Sequence, residues 1–377
     1  FSVEDICGGK GIFSIVLKIT LGFGSFSYST IIKIPGTFTF DKLKNSECDP
    51  FSMDDQKRDE LIIPAHRQEC VFYSNFAPLV PSVTPRVFET REWSLKSGKV
   101  GYIHMEDLST KTKTLTFHSR LTNEQVKNIV AKLAYFNAVA FNLGEKLTSE
   151  GNIEMMSTGT KMIPPLVSEF DRFAGHPEVF KRILERKDFT GLICNEPLVS
   201  YVLRECHRDF GLPDLYVHGD LWTSNILFKL NPDKSVSDEI AAIIDWQFAH
   251  KGNFVFDLCR LLIFSCDGDQ RRELEFSIFD YYIEQLGLEL SKLGTHQLPY
   301  SAKQIKDVYE LILLIHSGFM FIMNPALNIK PLDEEQIPAY KARKDRLELR
   351  MLHTFEDALQ ILDSGKFNKF ISKYLEP

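Results

Sequence analysis

Residues 217–228 read Val217-His218-Gly219-Asp220-Leu221-Trp222-Thr223-Ser224-Asn225-Ile226-Leu227-Phe228, which sets a histidine, an aspartate and an asparagine in one short polar loop between two apolar runs. Asp and Asn are common turn formers and helix caps, so His-Gly-Asp by itself carries little. The residues that follow change its weight. Segments 225–230 (NILFKL) and 239–245 (EIAAIID) are β-rich, and Asn231-Pro232-Asp233-Lys234 joins them as a hairpin that ends on Asp245. An acid at a loop start, an amide five residues on and a second acid closing the adjacent strand suit one task. Asp220 can orient or deprotonate a hydroxyl, while Asn225 and Asp245 offer hard oxygen ligands for Mg²⁺ on nucleotide phosphates. The spacing is that of the kinase catalytic loop, H-x-D-x-x-x-x-N, with Asp245 in the place of the metal-binding Asp of D-F-G.

Phosphoryl transfer also needs a cation for the phosphates and a group to hold it. Segments 12–21 (IFSIVLKITL) and 26–34 (FSYSTIIKI) read as strands joined at Gly22-Phe23-Gly24-Ser25, and Pro35-Gly36 ends the second. Lys33, in IIKIP, is the candidate phosphate-binding lysine; its other reading is a protective edge-strand lysine. Its partner belongs on the next helix, expected at 65–76 after Pro64, where Glu69 is the first candidate and a solvated helix residue the alternative. Glu60 is the fallback, set apart by Pro64. Gly9 and Gly11, in Gly8-Gly9-Lys10-Gly11, form a glycine-rich turn that could place backbone N–H groups over phosphates, although it does not match G-x-G-x-x-G and an ordinary turn reads almost as well. Glu106, in Met105-Glu106-Asp107-Leu108, marks by position the connector that would offer backbone groups to adenine. Asp257 reads either as a helix N-cap or as a brace that accepts backbone hydrogen bonds from the catalytic loop.

Further strands are expected near 85–92 and 99–105. After about residue 108 the pattern turns helical. Thr122 with Gln125 makes a capping box, and Val126, Ile129, Val130, Leu133, Phe136 and Ala140 follow at helical spacing, with Asn137 on the same stripe. Other helices are expected near 165–186, 195–209, 270–288, 302–323, 333–348, 350–364 and 366–375. The fold class is therefore α+β and bilobal: a β-rich N-lobe over 1–107 that binds nucleotide phosphates, and a helical C-lobe over 108–377 with the catalytic loop and acceptor pocket.

Composition bounds the rest. The chain has 377 residues, 44% hydrophobic and 25% charged, with 30 Phe and a net charge of -7. An acidic balance lacks the basic footprint of a nucleic-acid binder. Seven scattered cysteines (Cys7, Cys48, Cys70, Cys194, Cys206, Cys259, Cys266) form no C-x-x-C pair, which reads as a reducing, cytoplasmic location. No apolar run reaches the length of about 18 residues that a membrane span needs. No signal peptide is read at the start, and because the chain opens on Phe1 rather than Met the native N-terminus is expected to lie upstream.

VHGDLWTSNILF, IIDWQFAHKGNFVFDLCRLL, IIKIP and the ECVFY helix resemble the aminoglycoside phosphotransferase/choline kinase superfamily, above all its ecdysteroid-kinase-like (CHK kinase-like) branch, from about residue 8 to about 360. The resemblance implies a protein-kinase-like fold with ATP in a cleft, Asp220 as catalytic base, Asn225 and Asp245 as magnesium ligands, and Lys33 with Glu69 at the phosphates. ATP and Mg²⁺ are the implied cofactors and a small-molecule alcohol, ecdysteroid- or steroid-like or xenobiotic, the implied substrate. Monomer and dimer are not distinguished. Only eleven residues separate Asp245 from Asp257. With no D-F-G or A-P-E, that spacing leaves no activation segment for a protein substrate. A catalytically silent nucleotide-binding protein and a choline- or ethanolamine-type kinase are the alternatives. Trp222, Trp246, His250 and Phe254 are expected near the chemistry, either lining it or packing the core.

Overall fold

A computed structural model describes residues 1–6, 13–36, 55–94, 98–116, 118–146, 154–168, 170, 174–323 and 336–374. Two compact units divide the chain. The first takes in Phe1–Thr114 and Asn225–Ala249; the second takes in Leu115–Ser149, Ile153–Ser224 and His250–Pro377. The cut at Thr114 lies beyond the expected 107, and the hairpin within Asn225–Ala249 joins the β-rich unit. The 8–11 turn lies outside the described residues, as do Cys7 and Cys48.

In the first unit a five-stranded antiparallel sheet runs in the order Ser2–Asp5, Ser14–Phe23, Phe26–Pro35, Tyr102–Glu106, Val87–Arg91. The strand Ser2–Asp5 was not expected from sequence. Phe23 pairs with Phe26, so the turn narrows to Gly24-Ser25, and Gly24 takes the φ of 63° that a residue without Cβ adopts at little cost. Lys33 pairs with Val16 on one side and Ile103 on the other, in the central strand of the sheet and not at its edge. The helix Asp55–Asn75 begins well before the expected residue 65 and runs through Pro64. An interior proline removes one helical hydrogen bond and costs about 3 kcal/mol. The helix offsets this by burying Ile62, Ala65, Cys70, Phe72 and Tyr73. Glu60 consequently sits on the same helix as Glu69.

The hairpin strands Ile226–Leu230 and Val236–Ile243 pair antiparallel, and Thr112–Lys113 adds a third strand beside Lys229 and Phe228. The turn forms at Asn231–Lys234, where Lys234 N–H donates to the Asn231 carbonyl and Lys234 takes a φ of 68°. Ile243 N–H donates to the Val83 carbonyl, and the Trp246 ring stacks on Phe72 at 3.8 Å between centroids and 8° between planes.

The second unit is helical. Asn123–Leu143 starts at Thr122 with both capping-box bonds formed. Asn137 is buried on its apolar stripe because its amide donates to Tyr282 Oη at 2.9 Å, and that hydroxyl lies 3.3 Å from Tyr300 Oη. Several expected helices are broken. The span 165–186 resolves into the end of Glu154–Ser168 and the helix Pro177–Leu184, where Pro177 disfavours helix at His176 and opens a new one. The span 195–209 divides at Glu205 and 270–288 divides into Gly268–Leu274 and Ile278–Lys292. Ala302–His316 passes through a short 3-10 turn before Met320–Met323. Conversely, 333–348 and 350–364 are one helix, Ile337–Asp363. Leu215–Val217 pairs with His250–Gly252 as a small two-stranded sheet. Among the described residues no helix is long and apolar enough to cross a membrane.

Candidate active site

The first unit assembles the charged residues expected to handle phosphate. Lys33 Nζ donates to Glu69 Oε1 at 2.9 Å and Oε2 at 2.7 Å, and to Asp245 Oδ1 at 2.5 Å. The lysine side chain is 11% exposed, Glu69 2% and Asp245 27%. Burial works against the ammonium, but the Asp245 and Glu69 carboxylates outweigh it and hold Lys33 above the ordinary lysine range. Glu69 is raised by burial, with Lys33 opposing. The sequence produces this locally: Lys33 points off a central strand, Glu69 lies on the inner face of the helix beside it, and the hairpin returns the chain at Asp245. Asp245 takes a left-handed conformation, φ 69° and ψ 56°, which Asp tolerates better than most side chains. Gln247 Nε2 donates to its Oδ2 at 3.2 Å.

Asn225 is buried and opens the hairpin. Its carbonyl accepts from Ile244 N–H at 2.9 Å, so its backbone lies beside the residue that precedes Asp245. His66, one helical turn before Glu69, lies in the same small recess as Lys33, Glu69 and Gln247. Burial first, with the nearby Lys33, pushes its imidazole down to about 4, so it adds no charge there. No cluster of three or more acids, histidines or cysteines capable of holding a metal occurs among the described residues. Magnesium binds through one or two carboxylates together with substrate phosphates. The carboxylate of Asp245 and the amide of Asn225 are hard donors of that kind.

Glu106 ends the strand Tyr102–Glu106. Its carboxylate accepts from Arg86 N–H at 2.7 Å and its own N–H donates to the Arg86 carbonyl at 2.9 Å, so side chain and amide are both engaged locally. Gly9 and Gly11 lie outside the described residues.

The second unit holds Asp220. The buried strand Leu215–Val217 delivers the chain into His218-Gly219-Asp220, and Gly219 has a φ of 83°. Asp257 braces this turn. Its carboxylate accepts from His218 N–H at 2.7 Å and Gly219 N–H at 2.9 Å, which settles its two sequence readings in favour of the brace. The cap position of its helix, Val255–Ser265, is Phe254. Burial pushes the Asp257 carboxyl up to about 7, although both N–H groups and Arg260 oppose the rise. Asp220 N–H donates to His218 Nδ1 at 3.1 Å. Thr223 N–H donates to Ser265 Oγ at 3.2 Å, fixing the far side of the loop to the same helix.

One residue at Asp220 escapes the sequence reading. Arg260 Nε donates to Asp220 Oδ1 at 2.8 Å, and Nη2 reaches the same oxygen. The available signal was its position three residues after Asp257 in an otherwise apolar helix, which puts both charges on one face. Of the aromatic candidates, Trp246 is fully buried against Phe72, and Phe254 stacks near Tyr282 and Tyr300. These two are packing residues. His250 is buried in the two-stranded sheet, and Trp222 is half-buried beside Leu221.

A family model described as "Uncharacterized oxidoreductase dhs-27" (DUF1679) matches residues 15–366, and the chain belongs to that family. The Caenorhabditis elegans protein "Uncharacterized oxidoreductase dhs-27" is 27% identical over 262 residues, 67% of this chain and 30% of that protein. A second C. elegans protein, "Uncharacterized kinase-like protein D1044.1", is 24% identical over 270 residues, 70% of this chain and 66% of that protein. The chain thus spans under two thirds of each of these curated relatives. The crystal structure of a choline kinase from Cryptosporidium parvum superimposes with a TM-score of 0.54 at 10% identity, covering 99% of this chain and 93% of that one. At such identity the likeness is one of fold, and the fold is the α+β kinase-like one expected from sequence.

Proposed function

We propose that this chain is an ATP- and Mg²⁺-dependent phosphotransferase acting on a hydroxyl of a small molecule. The observation that carries the reading is the Lys33–Glu69–Asp245 ion triad, set beside a hairpin that opens on Asn225. A lysine clamped by two carboxylates in a recess is expensive to build for stability alone, since desolvation consumes much of the Coulombic gain. It is a ready site for a phosphate charge. In this reading Lys33 binds the phosphates, Glu69 holds Lys33 in place, and Asn225 and Asp245 hold the metal. Magnesium, when bound, neutralises charge on the transferring phosphoryl group. Asp220 orients the acceptor hydroxyl. The adenine edge is assigned to the Met105–Leu108 stretch by chain position only, with Gly9 and Gly11 as the candidate phosphate loop. Positioning and electrostatics supply most of the rate.

The acceptor is read as an ecdysteroid- or steroid-like or xenobiotic alcohol. This finer assignment is supported by the resemblance of VHGDLWTSNILF and IIDWQ to the ecdysteroid-kinase-like branch and by the eleven-residue interval between Asp245 and Asp257, which leaves no platform for a peptide. The word "oxidoreductase" in the family description is the name of a relative of which the chain matches only 30%. A cytoplasmic location follows from the cysteine pattern alone and stands as part of the same proposal.

Asp220→Asn tests the assignment: it abolishes turnover while Mg-ATP still stabilises the protein in a thermal-shift assay. Near-normal turnover of that variant would sink the role given to Asp220. An ATP-consumption screen against sterols, amino alcohols including choline and ethanolamine, and xenobiotic glycosides identifies the acceptor class. Stabilisation by Mg-ATP without transfer to any of them would instead mark a silent nucleotide-binding protein.

A further inference from the structure

The helix Val255–Ser265 is buried along nearly its whole length and spends only two positions on charge, Asp257 and Arg260. Asp257 holds the backbone of the catalytic turn. Arg260 holds the side chain of Asp220 through two donors on Oδ1. Its third arm goes inward, where Nη1 donates to His316 Nε2 at 3.2 Å. Arginine only donates, so that nitrogen of His316 accepts and the ring is neutral with its proton on Nδ1. Burial first, then the Arg260 charge, keeps the imidazole well below its ordinary range. Phe256 and Phe319 enclose the ring at 4.7 and 4.6 Å between centroids, and the guanidinium lies over Phe264 at 4.5 Å. The guanidinium is therefore held from behind at Nη1 by His316 and across its face by Phe264, while Nε and Nη2 are turned to Asp220.

A guanidinium is poor company for a group meant to remove a proton, because it lowers the carboxylate's appetite for one. Phosphoryl transfer resolves the contradiction. Its transition state is loose, so the acceptor oxygen needs aim more than it needs early deprotonation. We propose that Arg260, backed by His316 and Phe264, is the positioning residue of Asp220: it pins the carboxyl and keeps it anionic, so that Asp220 aims a hydroxyl. This rests on the reading of Asp220 as the acceptor-orienting group and adds the device that sets its orientation and charge. Among the titratable and charged groups that face Asp220 in this unit are Arg260 and Asp257 from the one helix, His218 from its own loop, and His316 behind Arg260. Asp257 opposes the effect by like charge and Arg260 sits closer.

The test uses the whole chain. Aspartate carboxyl carbons labelled with ¹³C are titrated by NMR, with Asp220→Asn identifying the Asp220 signal, and initial rates of Mg-ATP hydrolysis are followed from pH 4 to 8 with water as acceptor. In Arg260→Gln the Asp220 midpoint rises by about one pH unit or more, the scale of a neighbouring arginine. The acid limb of kcat moves up with it, and kcat falls about tenfold or more while KM for ATP stays within about twofold, as for a misplaced group. Arg260→Lys keeps the charge and loses the fork, so it keeps the low midpoint but loses rate; it carries the test if the glutamine variant does not fold. His316→Phe lowers kcat in the same way, and His316→Gln, which retains an acceptor, restores it. Coincident Asp220 midpoints in the wild type and Arg260→Gln would overturn the proposal. So would an unshifted acid limb with kcat and KM falling together. Because the NMR arm needs no turnover, a shifted midpoint in a protein that hydrolyses no ATP supports the pinning and counts against phosphotransfer instead.

Discussion

Replacing Lys33 by methionine removes the cation from a site that keeps two acids. Glu69 is only 2% exposed, so water cannot take over from the ammonium, whereas Asp245 at 27% retains solvent. Breaking a buried pair by removing one partner costs about 3 to 5 kcal/mol, and the partial exposure of Asp245 puts Lys33→Met near the low end, about 3 kcal/mol at pH 8. The penalty has a pH signature. Burial already raises Glu69 above its ordinary value, and losing Lys33 raises it further. A carboxyl whose folded pKa is raised contributes stability that is full below its unfolded value, about 4.3, and is lost as pH rises through the folded one. The deficit of Lys33→Met is therefore small near pH 4.5 and grows upward by at most about 1.4 kcal/mol per pH unit. Urea unfolding followed by circular dichroism at pH 4.5, 6 and 8 measures it. Adding Glu69→Gln removes the stranded charge, so the double variant recovers most of the loss at pH 8. A deficit independent of pH, or a double variant no more stable than Lys33→Met, would refute the electrostatic account.

Two other predictions concern the second unit. Asp257, raised to about 7, makes the wild type lose stability as pH climbs from about 4 through about 7, and Asp257→Asn removes that component of the slope in denaturant titrations across the window. Asn137→Leu removes the amide that donates to the buried Tyr282 hydroxyl, leaves that hydroxyl with Tyr300, and lowers stability by about 1 to 3 kcal/mol in thermal melts; unchanged stability would show that the amide–hydroxyl bond contributes nothing.

What the sequence disclosed follows the range of the interactions involved. The His218-Gly219-Asp220 turn, the hairpin after it and the Thr122 capping box are encoded within a few residues of themselves, so spacing alone reveals them. Lys33 and Glu69 were legible because a strand and a helix each impose a period on which side chains share a face. The pairing of Asp220 with Arg260 and of Arg260 with His316 spans forty and more residues and depends on how two helices cross, which no local pattern records. The local meaning of Pro64 is a helix start, but the helix Asp55–Asn75 runs through it because packing of Ile62 and Phe72 outweighs the lost hydrogen bond. The break at His176 is local, set by Pro177, whereas the continuity of Ile337–Asp363 goes with the burial of Leu347, Met351, Phe355 and Ala358 along one helix.

The first unit is discontinuous along the chain, and this sets a timetable for synthesis. Its sheet and the Glu69 helix emerge by Thr114, but Asn225–Ala249 must still be translated before the unit is complete. At the usual pace of a ribosome that interval lasts several seconds. Throughout it Phe72 waits for the indole of Trp246, and Lys33 with Glu69 waits for Asp245. The nascent unit therefore passes through a stage in which the Phe72 ring on its helix is not yet covered by Trp246. A stalled or truncated product ending before residue 225 is left permanently at that stage, with the ammonium and one carboxylate of the triad in place and the hairpin that carries the second absent.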